Sequence, residues 1–127
     1  MPVYTYHINT EGDAGNATGS VTMDIDLPMA LVDCIKVDYG ETAPETTVLT
    51  VEEAGGLKRT ILTLADTSTD AEKYPRHTLH DDEGADIAGM VDYYVVNGPL
   101  KISIAGCNEL TPAATVTISV LVGEAMR

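Results

Sequence analysis

The stretch VTMDID, residues 21–26, alternates Val21, Met23 and Ile25 with Thr22, Asp24 and Asp26. Successive side chains of a strand point to opposite faces, so an apolar residue at every second position buries one face and leaves the other to water. Pro28 ends the run. ALVDCIKVDYG (30–40) repeats the pattern, with Val37 and Tyr39 in step with Ile35. TTVLTVEE (46–53) and RTILTLAD (59–66) flank Gly55-Gly56 and predict a hairpin. VDYYVV (91–96) and LKISIA (100–105) flank Asn97-Gly98-Pro99 and predict a second hairpin, Asn-Gly being the strongest short signal for one. ATVTISVLV (114–122) reads as the closing strand.

Between these runs EGDAGNATGS (11–20), ADTSTDAEK (65–73) and HDDEGADIAG (80–89) are rich in the small and polar residues that accept turn conformations, and predict loops. Helix signals are confined to ELTPAAT (109–115), where Pro112 limits any helix to about one turn. Strand centres about 8 to 15 residues apart favour an antiparallel arrangement over βαβ units. The expected fold is therefore all-β, an antiparallel β-sandwich or jelly-roll-like domain with little helix. A chain of 127 residues with 44% hydrophobic content is the size of one domain, here 1–127. Tyr4, Tyr6 and Ile8 share one face of a first strand, and residues 1–10 are read as either a strand or an arm reaching a neighbouring subunit.

Composition narrows the function. Twenty acidic residues against seven basic ones give a formal charge of −13, spread from Glu11 to Glu124, which repels phosphate backbones. With no basic patch and no Gly-rich phosphate loop, nucleic acid is not an expected partner. No apolar run approaches the roughly 20 residues of a membrane span, and MPVYTYHINTEG (1–12) lacks the pattern of a signal peptide. Cys34 and Cys107 lie in strand-like segments and are expected as two buried thiols. The absence of Phe and Trp leaves few aromatic faces for sugars and obliges Val, Ile, Leu and Met to build the core. Of the adjacent Tyr93 and Tyr94, one is expected in the core and the other at a surface.

The most polar segment, YPRHTLHDDEG (74–84), is the candidate site. His77 and His80 are three apart, a spacing that places them on one face of a helix but on opposite faces of a strand. Pro75 and the Asp-rich end disfavour a helix, so the segment is read as a polar strand carrying Arg76, Thr78 and His80 on one face and His77, Leu79 and Asp81 on the other, turning at 82–84. A metal would need His77, His80, Asp81 and Asp82 to meet a distant ligand that nothing in the sequence specifies, and the spacing of an EF-hand loop is absent. No nucleophile elbow and no framed carboxylate pair is present. Neither enzymatic activity nor a cofactor is expected.

YPRHTLHDDEGADI, then DYYVVNGPLKISIAGCNEL and a terminal TVTISV strand, together residues 74–120, resemble a group of small proteins encoded beside the major capsid protein of tailed bacteriophages, the head decoration or cement proteins. The shared elements are Tyr74-Pro75-Arg76, the His80-Asp81 pair before Gly84, and a glycine-interrupted final strand pair. The resemblance implies a β-sandwich or jelly-roll subunit, commonly trimeric, that is made in the host cytoplasm and binds the outer face of the head in the virion. Its partners would be the major capsid protein and further copies of itself, and the candidate inter-subunit or capsid contacts are Tyr4, Tyr6, Tyr74, Arg76 and Tyr94. Under this reading Arg76 is an anchor whose guanidinium pairs with a loop carboxylate. The acidity of the chain leads to the expectation that burial, not charge attraction, dominates its contact with a shell. The alternatives are a phage tail or head-to-tail connector subunit, and a small carbohydrate-binding module or hydrolase.

Overall fold

A computed structural model describes residues 3–25, 29–55, 58–96, 98–110 and 115–124. Among the described residues there are ten strands and no helix: β1 (Val3–Ile8), β2 (Ala17–Met23), β3 (Ala30–Asp38), β4 (Val48–Glu53), β5 (Thr60–Leu64), β6 (Ala71–Lys73), β7 (Arg76–His80), β8 (Asp86–Val96), β9 (Leu100–Cys107) and β10 (Val116–Glu124). One sheet runs β1-β10-β3-β8-β7 with β6 also paired to β3, and the other runs β2-β9-β4-β5. All the pairings are antiparallel. Setting aside β6 and β7 exposes a simple logic. β1 pairs with β10, β2 with β9, β3 with β8 and β4 with β5. That is one long hairpin, with its tip at β4–β5, rolled so that alternate pairs fall in opposite sheets. This is jelly-roll connectivity, and the expected fold class is the one observed.

The roll is held by the alternation visible in the sequence. Val116, Ile118, Val120 and Val122 of β10 are buried while Thr117, Ser119 and Leu121 face outward and are only half-buried. Met23, Leu49, Val51, Ile102 and Ile104 of the second sheet meet Ile35, Val37, Ile118 and Val120 of the first in one cluster. Each such side chain contributes about 1.5–3 kcal/mol by leaving water. Tyr4 and Tyr6 are half-buried against this cluster, on the face that ends in buried Ile8, and β1 is the edge of its own chain's sheet. Cys34 and Cys107 are buried free thiols.

Several expectations are corrected. The hairpin across Asn97-Gly98-Pro99 does not form: β8 belongs to one sheet and β9 to the other, so the segment carries the chain between layers. Asn97 itself lies outside the described residues; Gly98 does adopt a turn conformation, φ 139°, and the local signal was for a reversal, but pairing was decided by the roll. The hairpin at Gly55 does form as β4–β5. The segment 11–20 is a loop only to Asn16, since β2 begins at Ala17; 65–73 contains β6; and β8 begins at Asp86 inside the expected loop 80–89. Thr111–Ala114 of the possible helical turn lie outside the described residues.

Strands β3, β5 and β9 change phase. In β5, Ile61 and Leu64 are both buried although three apart, because the register against β4 slips between Val51 and Glu52. In β9, Ile104 and Cys107 are both buried although three apart, because the register against β2 slips between Ala17 and Gly19. Gly106 takes up the slip at φ 65°, a left-handed conformation that costs other residues about 1–2 kcal/mol. A Cβ at that position would also collide with the Thr46 carbonyl oxygen. Gly84 shares the positive φ, at 89°, but has open space around it. Gly106→Ala should therefore lose more stability in urea denaturation than Gly84→Ala, about 2–4 kcal/mol against about 1 kcal/mol; equal losses would mean that contact with Thr46 does not constrain the bulge.

Candidate interaction surface: the β7–β8 ribbon

The change of phase in β3 creates a surface feature of the molecule. Ala30 and Val32 point into the core, and so do Ile35 and Val37. Between them the register against β10 slips: Leu121 faces Cys34 and Val122 faces Val32, leaving Asp33 as the extra residue of a β-bulge. On the opposite side of β3, β8 pairs only with Ala30–Val32, while β6 pairs with Ile35–Val37. At Asp33 the sheet therefore forks, and β8 leaves it to pair with β7 alone.

The structure places YPRHTLHDDEG in this ribbon as strand β7 and a turn, the form expected. Alternation holds from Arg76 to Thr78, which face Tyr93 and Val91, and is broken at Leu79: His80 next faces Asp86, so the residues around Gly89 (φ 76°) are extra on the β8 side. Every residue from Asp86 to Asp92 is exposed, so both faces of this part of β8 meet solvent. Apolar side chains are among them, with Ile87, Met90 and Val91 at 36%, 50% and 60% exposure.

The polar groups of the segment are engaged in holding the ribbon. Asp81 Oδ1 accepts hydrogen bonds from the amides of Glu83 and Ala85, both at 2.9 Å. The Ala85 and Glu83 amides, with the nearby His80 as a lesser contribution, hold its carboxyl below the ordinary range. His80 Nε2 lies 2.8 Å from Asp86 Oδ1 across the strands. His77 Nε2 is 3.1 Å from the Tyr93 carbonyl oxygen, and its ring packs against Tyr94 at 5.2 Å. Among the described residues no three His, Cys, Asp or Glu side chains converge as a metal ion requires.

Two arginines clamp the base of the ribbon from opposite sides. Arg76 Nη1 donates to the carbonyl oxygens of Asp33 (3.1 Å) and Pro75 (2.8 Å), and Nη2 donates to Asp33 Oδ1 (3.2 Å). Its guanidinium lies 3.9 Å from the centre of the Tyr93 ring. Its carboxylate partner is thus the β3 bulge residue, where a loop carboxylate was expected. Arg59, which the sequence reading did not single out, donates from Nε to Glu53 Oε1 (2.7 Å) and from Nη2 to the Val95 carbonyl oxygen (2.9 Å), tying β4 of one sheet to β8 of the other. Tyr94 lies against it, 5.6 Å from ring centre to guanidinium, and packs on the core. So of the adjacent tyrosines Tyr94 is core-packed and Tyr93 sits under Arg76, while Tyr74 is 58% exposed. The bidentate character of Arg59 could have been suspected from Glu53 standing six residues away across a Gly-Gly turn; its bond to Val95 had no sequence signal.

A second surface feature is an open groove of about 500 Å³ on the outer face of the six-stranded sheet, lined by Lys36, Asp38, Asp70, Glu72, Thr117 and Ser119 among others. Its polar groups are of mixed charge.

No protein-family model and no curated protein matches the chain. Among solved structures, the VP2 subviral particle of infectious bursal disease virus aligns over 94% of this chain and 32% of the viral one, with 14% identity and a TM-score of 0.40. The Gx strain of the same virus aligns over 94% and 31%, with 16% identity and a TM-score of 0.37. This chain spans about a third of the length of those viral chains.

The clamps yield two expected outcomes. Arg76→Gln removes the charge and the stacking on Tyr93, and should cost about 1–2 kcal/mol. Amide hydrogen exchange should accelerate in residues 76–96 and stay unchanged in β4–β5; uniform acceleration would mean that Arg76 supports the whole sandwich. Glu53 is held below the ordinary glutamate range mainly by the hydrogen bond from Arg59. A depressed carboxyl stabilises the folded chain above its unfolded value, about 4.3, and that contribution is lost as pH falls through the folded value. Glu53→Gln should then be less stable than the unaltered chain at neutral pH and nearly equal to it once acid has protonated Glu53, as read from urea midpoints; a constant gap across pH would exclude the ion pair as its origin.

Proposed function

We propose that this chain is a non-enzymatic structural protein of a phage virion, a head decoration subunit that binds the outer surface of the assembled shell as an oligomer, most simply a trimer, and reinforces it. The observation that carries the reading is the fate of the segment on which the resemblance rests. In YPRHTLHDDEG, Arg76, His77, His80 and Asp81 all bond within the chain to build a ribbon at the surface, and none of them lines the groove on the six-stranded sheet. A jelly roll whose most polar segment builds a projection is suited to work by burying surface against neighbours. Several such contacts per oligomer would add by avidity, without any chemical step. The outward faces of β1 and β10 are joined by small polar contacts, Thr5 Oγ1 to Ser119 Oγ at 3.0 Å and His7 Nδ1 to Thr117 Oγ1 at 2.9 Å, and this edge of the sheet is open to packing against another copy.

The test uses shells assembled without the protein. Purified chain should be an oligomer in analytical ultracentrifugation, should co-sediment with expanded shells, and should raise the temperature at which filled shells release DNA. Failure to sediment, or sedimentation with no gain in resistance to heat, would remove reinforcement of the head as its role.

A further inference from the structure

We infer that the free end of the β7–β8 ribbon is the element that grips the shell, and that it docks on a surface of a different protein that combines an apolar recess with basic side chains. The inference rests on the proposed role in the virion and specifies its contact. Three observations lead to it.

First, the ribbon is unsupported where it is most apolar. Beyond Tyr93 it consists of two strands, and a two-stranded hairpin is at best marginally stable alone in water. Ile87, Met90 and Val91 are nonetheless solvent-exposed on it, although the same chain buries Val, Ile and Met throughout its core. Grouped apolar side chains on an exposed projection are what a docking element presents, and the two arginine clamps fix the direction in which it points.

Second, the charge on the ribbon has one sign. Residues 77–92 hold Asp81, Asp82, Glu83, Asp86 and Asp92 and no Lys or Arg. Asp81 caps the turn and Asp86 pairs with His80, but Asp82 and Glu83 stand exposed at the tip. A surface that receives this tip and buries the neighbouring apolar residues must offer positive charge beside a recess.

Third, another copy of this chain is poorly matched to it: among the described residues the exposed Lys58 and Lys73 stand on different sheets, one between β4 and β5 and the other on β6. The whole chain has seven Lys and Arg against twenty Asp and Glu. Arg59 and Arg76 are tied to Glu53 and Asp33. Lys36 stands opposite Glu72 across β3–β6, and Lys101 opposite Glu52 across β4–β9. The occupant is therefore a basic patch on a protein of different charge, in this role the shell subunit. On this inference burial would dominate the contact on the apolar side of the ribbon and charge attraction at its tip.

The experiment compares three full-length proteins for binding to expanded shells lacking the protein, with each checked for an unchanged thermal midpoint and oligomeric state. The altered positions are exposed, so folding should survive; hydrogen exchange of the unaltered chain with and without shells gives a second readout that needs no variant. Ile87→Ser, Met90→Ser and Val91→Ser combined should weaken binding at least about tenfold. Asp82→Asn with Glu83→Gln should weaken it about threefold at roughly 50 mM salt and make little difference at roughly 500 mM. Amides of residues 86–92 should gain protection on the shell. If the unaltered chain binds and both variants bind equally well, or those amides gain no protection, the ribbon is not the grip and this inference falls while the role in the virion stands. If the neutralised tip binds more tightly, the receiving surface is not basic. A changed oligomeric state in the serine variant would assign the ribbon to contacts between copies. If the unaltered chain does not bind shells, the role and the inference fall together.

Discussion

The bulge at Asp33 is the constraint on which the rest of the six-stranded sheet depends. One extra residue in β3 turns the following strand over, so that Ile35 and Val37 replace Ala30 and Val32 as the inward-facing set. The same residue divides the outer edge of β3 between two partners, β8 before it and β6 after it. A fork in a sheet leaves backbone groups without ladder partners, and each buried one costs about 1–3 kcal/mol. Arg76 answers that locally: it donates to the bulge carbonyl and carboxylate together and covers Tyr93 with its flat face. A planar guanidinium can do these things at once, whereas a lysine ammonium could supply the charge but neither the fork of donors nor the stacking.

The core shows what an aliphatic composition entails. Without Phe or Trp, the space between the sheets is filled by Val, Ile, Leu and Met, with Tyr39 as the largest fully buried side chain. Its hydroxyl has no hydrogen-bond partner among the described residues, and burial first, then the nearby Asp70 carboxylate, pushes its pKa up to about 12. It is a neutral phenol at any pH the protein meets, serving as a hydrophobic body at a cost of about 1–3 kcal/mol for the unbonded hydroxyl. The backbone compensates in part, since the Tyr39 amide donates to Asp70 Oδ1 at 2.9 Å, pinning the segment before β6 to the end of β3.

Period-two alternation was legible wherever a strand buries one face for its whole length, as in β4 and β10, and it sufficed for the fold class. It did not by itself reveal where β3, β5 and β9 change phase. In β3 the slip was written in the sequence, because Val32 and Ile35 are three apart with Asp33 between them, an interval that no uninterrupted strand can bury on one side. The Asn97-Gly98 signal marked a reversal of direction, but a two-residue motif carries no information about which sheet receives the next strand; that follows from closing the roll. Small and polar residues in 80–89 suggested a loop, while the chain continues there as β8, because a ribbon with solvent on both faces has no burial pattern to reveal it. Arg76 was recognisable as an anchor from Pro75 beside it, yet its partner lies 43 residues away and nothing local distinguishes Asp33 from the other acids.

The same two arginines link the internal architecture to the surface. An acidic chain that stands well away from neutrality remains soluble by self-repulsion, which also opposes close packing of one copy against another. Pairing Arg59 and Arg76 internally fixes the base of the ribbon, whose residues 77–92 hold Asp, Glu, His, Thr and apolar side chains but no Lys or Arg. Because the base of the ribbon is already fixed, the proposed contact with a shell would have only the last turns of the ribbon left to order. Stability at the fork and the placing of the ribbon thus draw on one set of side chains, so a change at Asp33 or Arg76 acts on both.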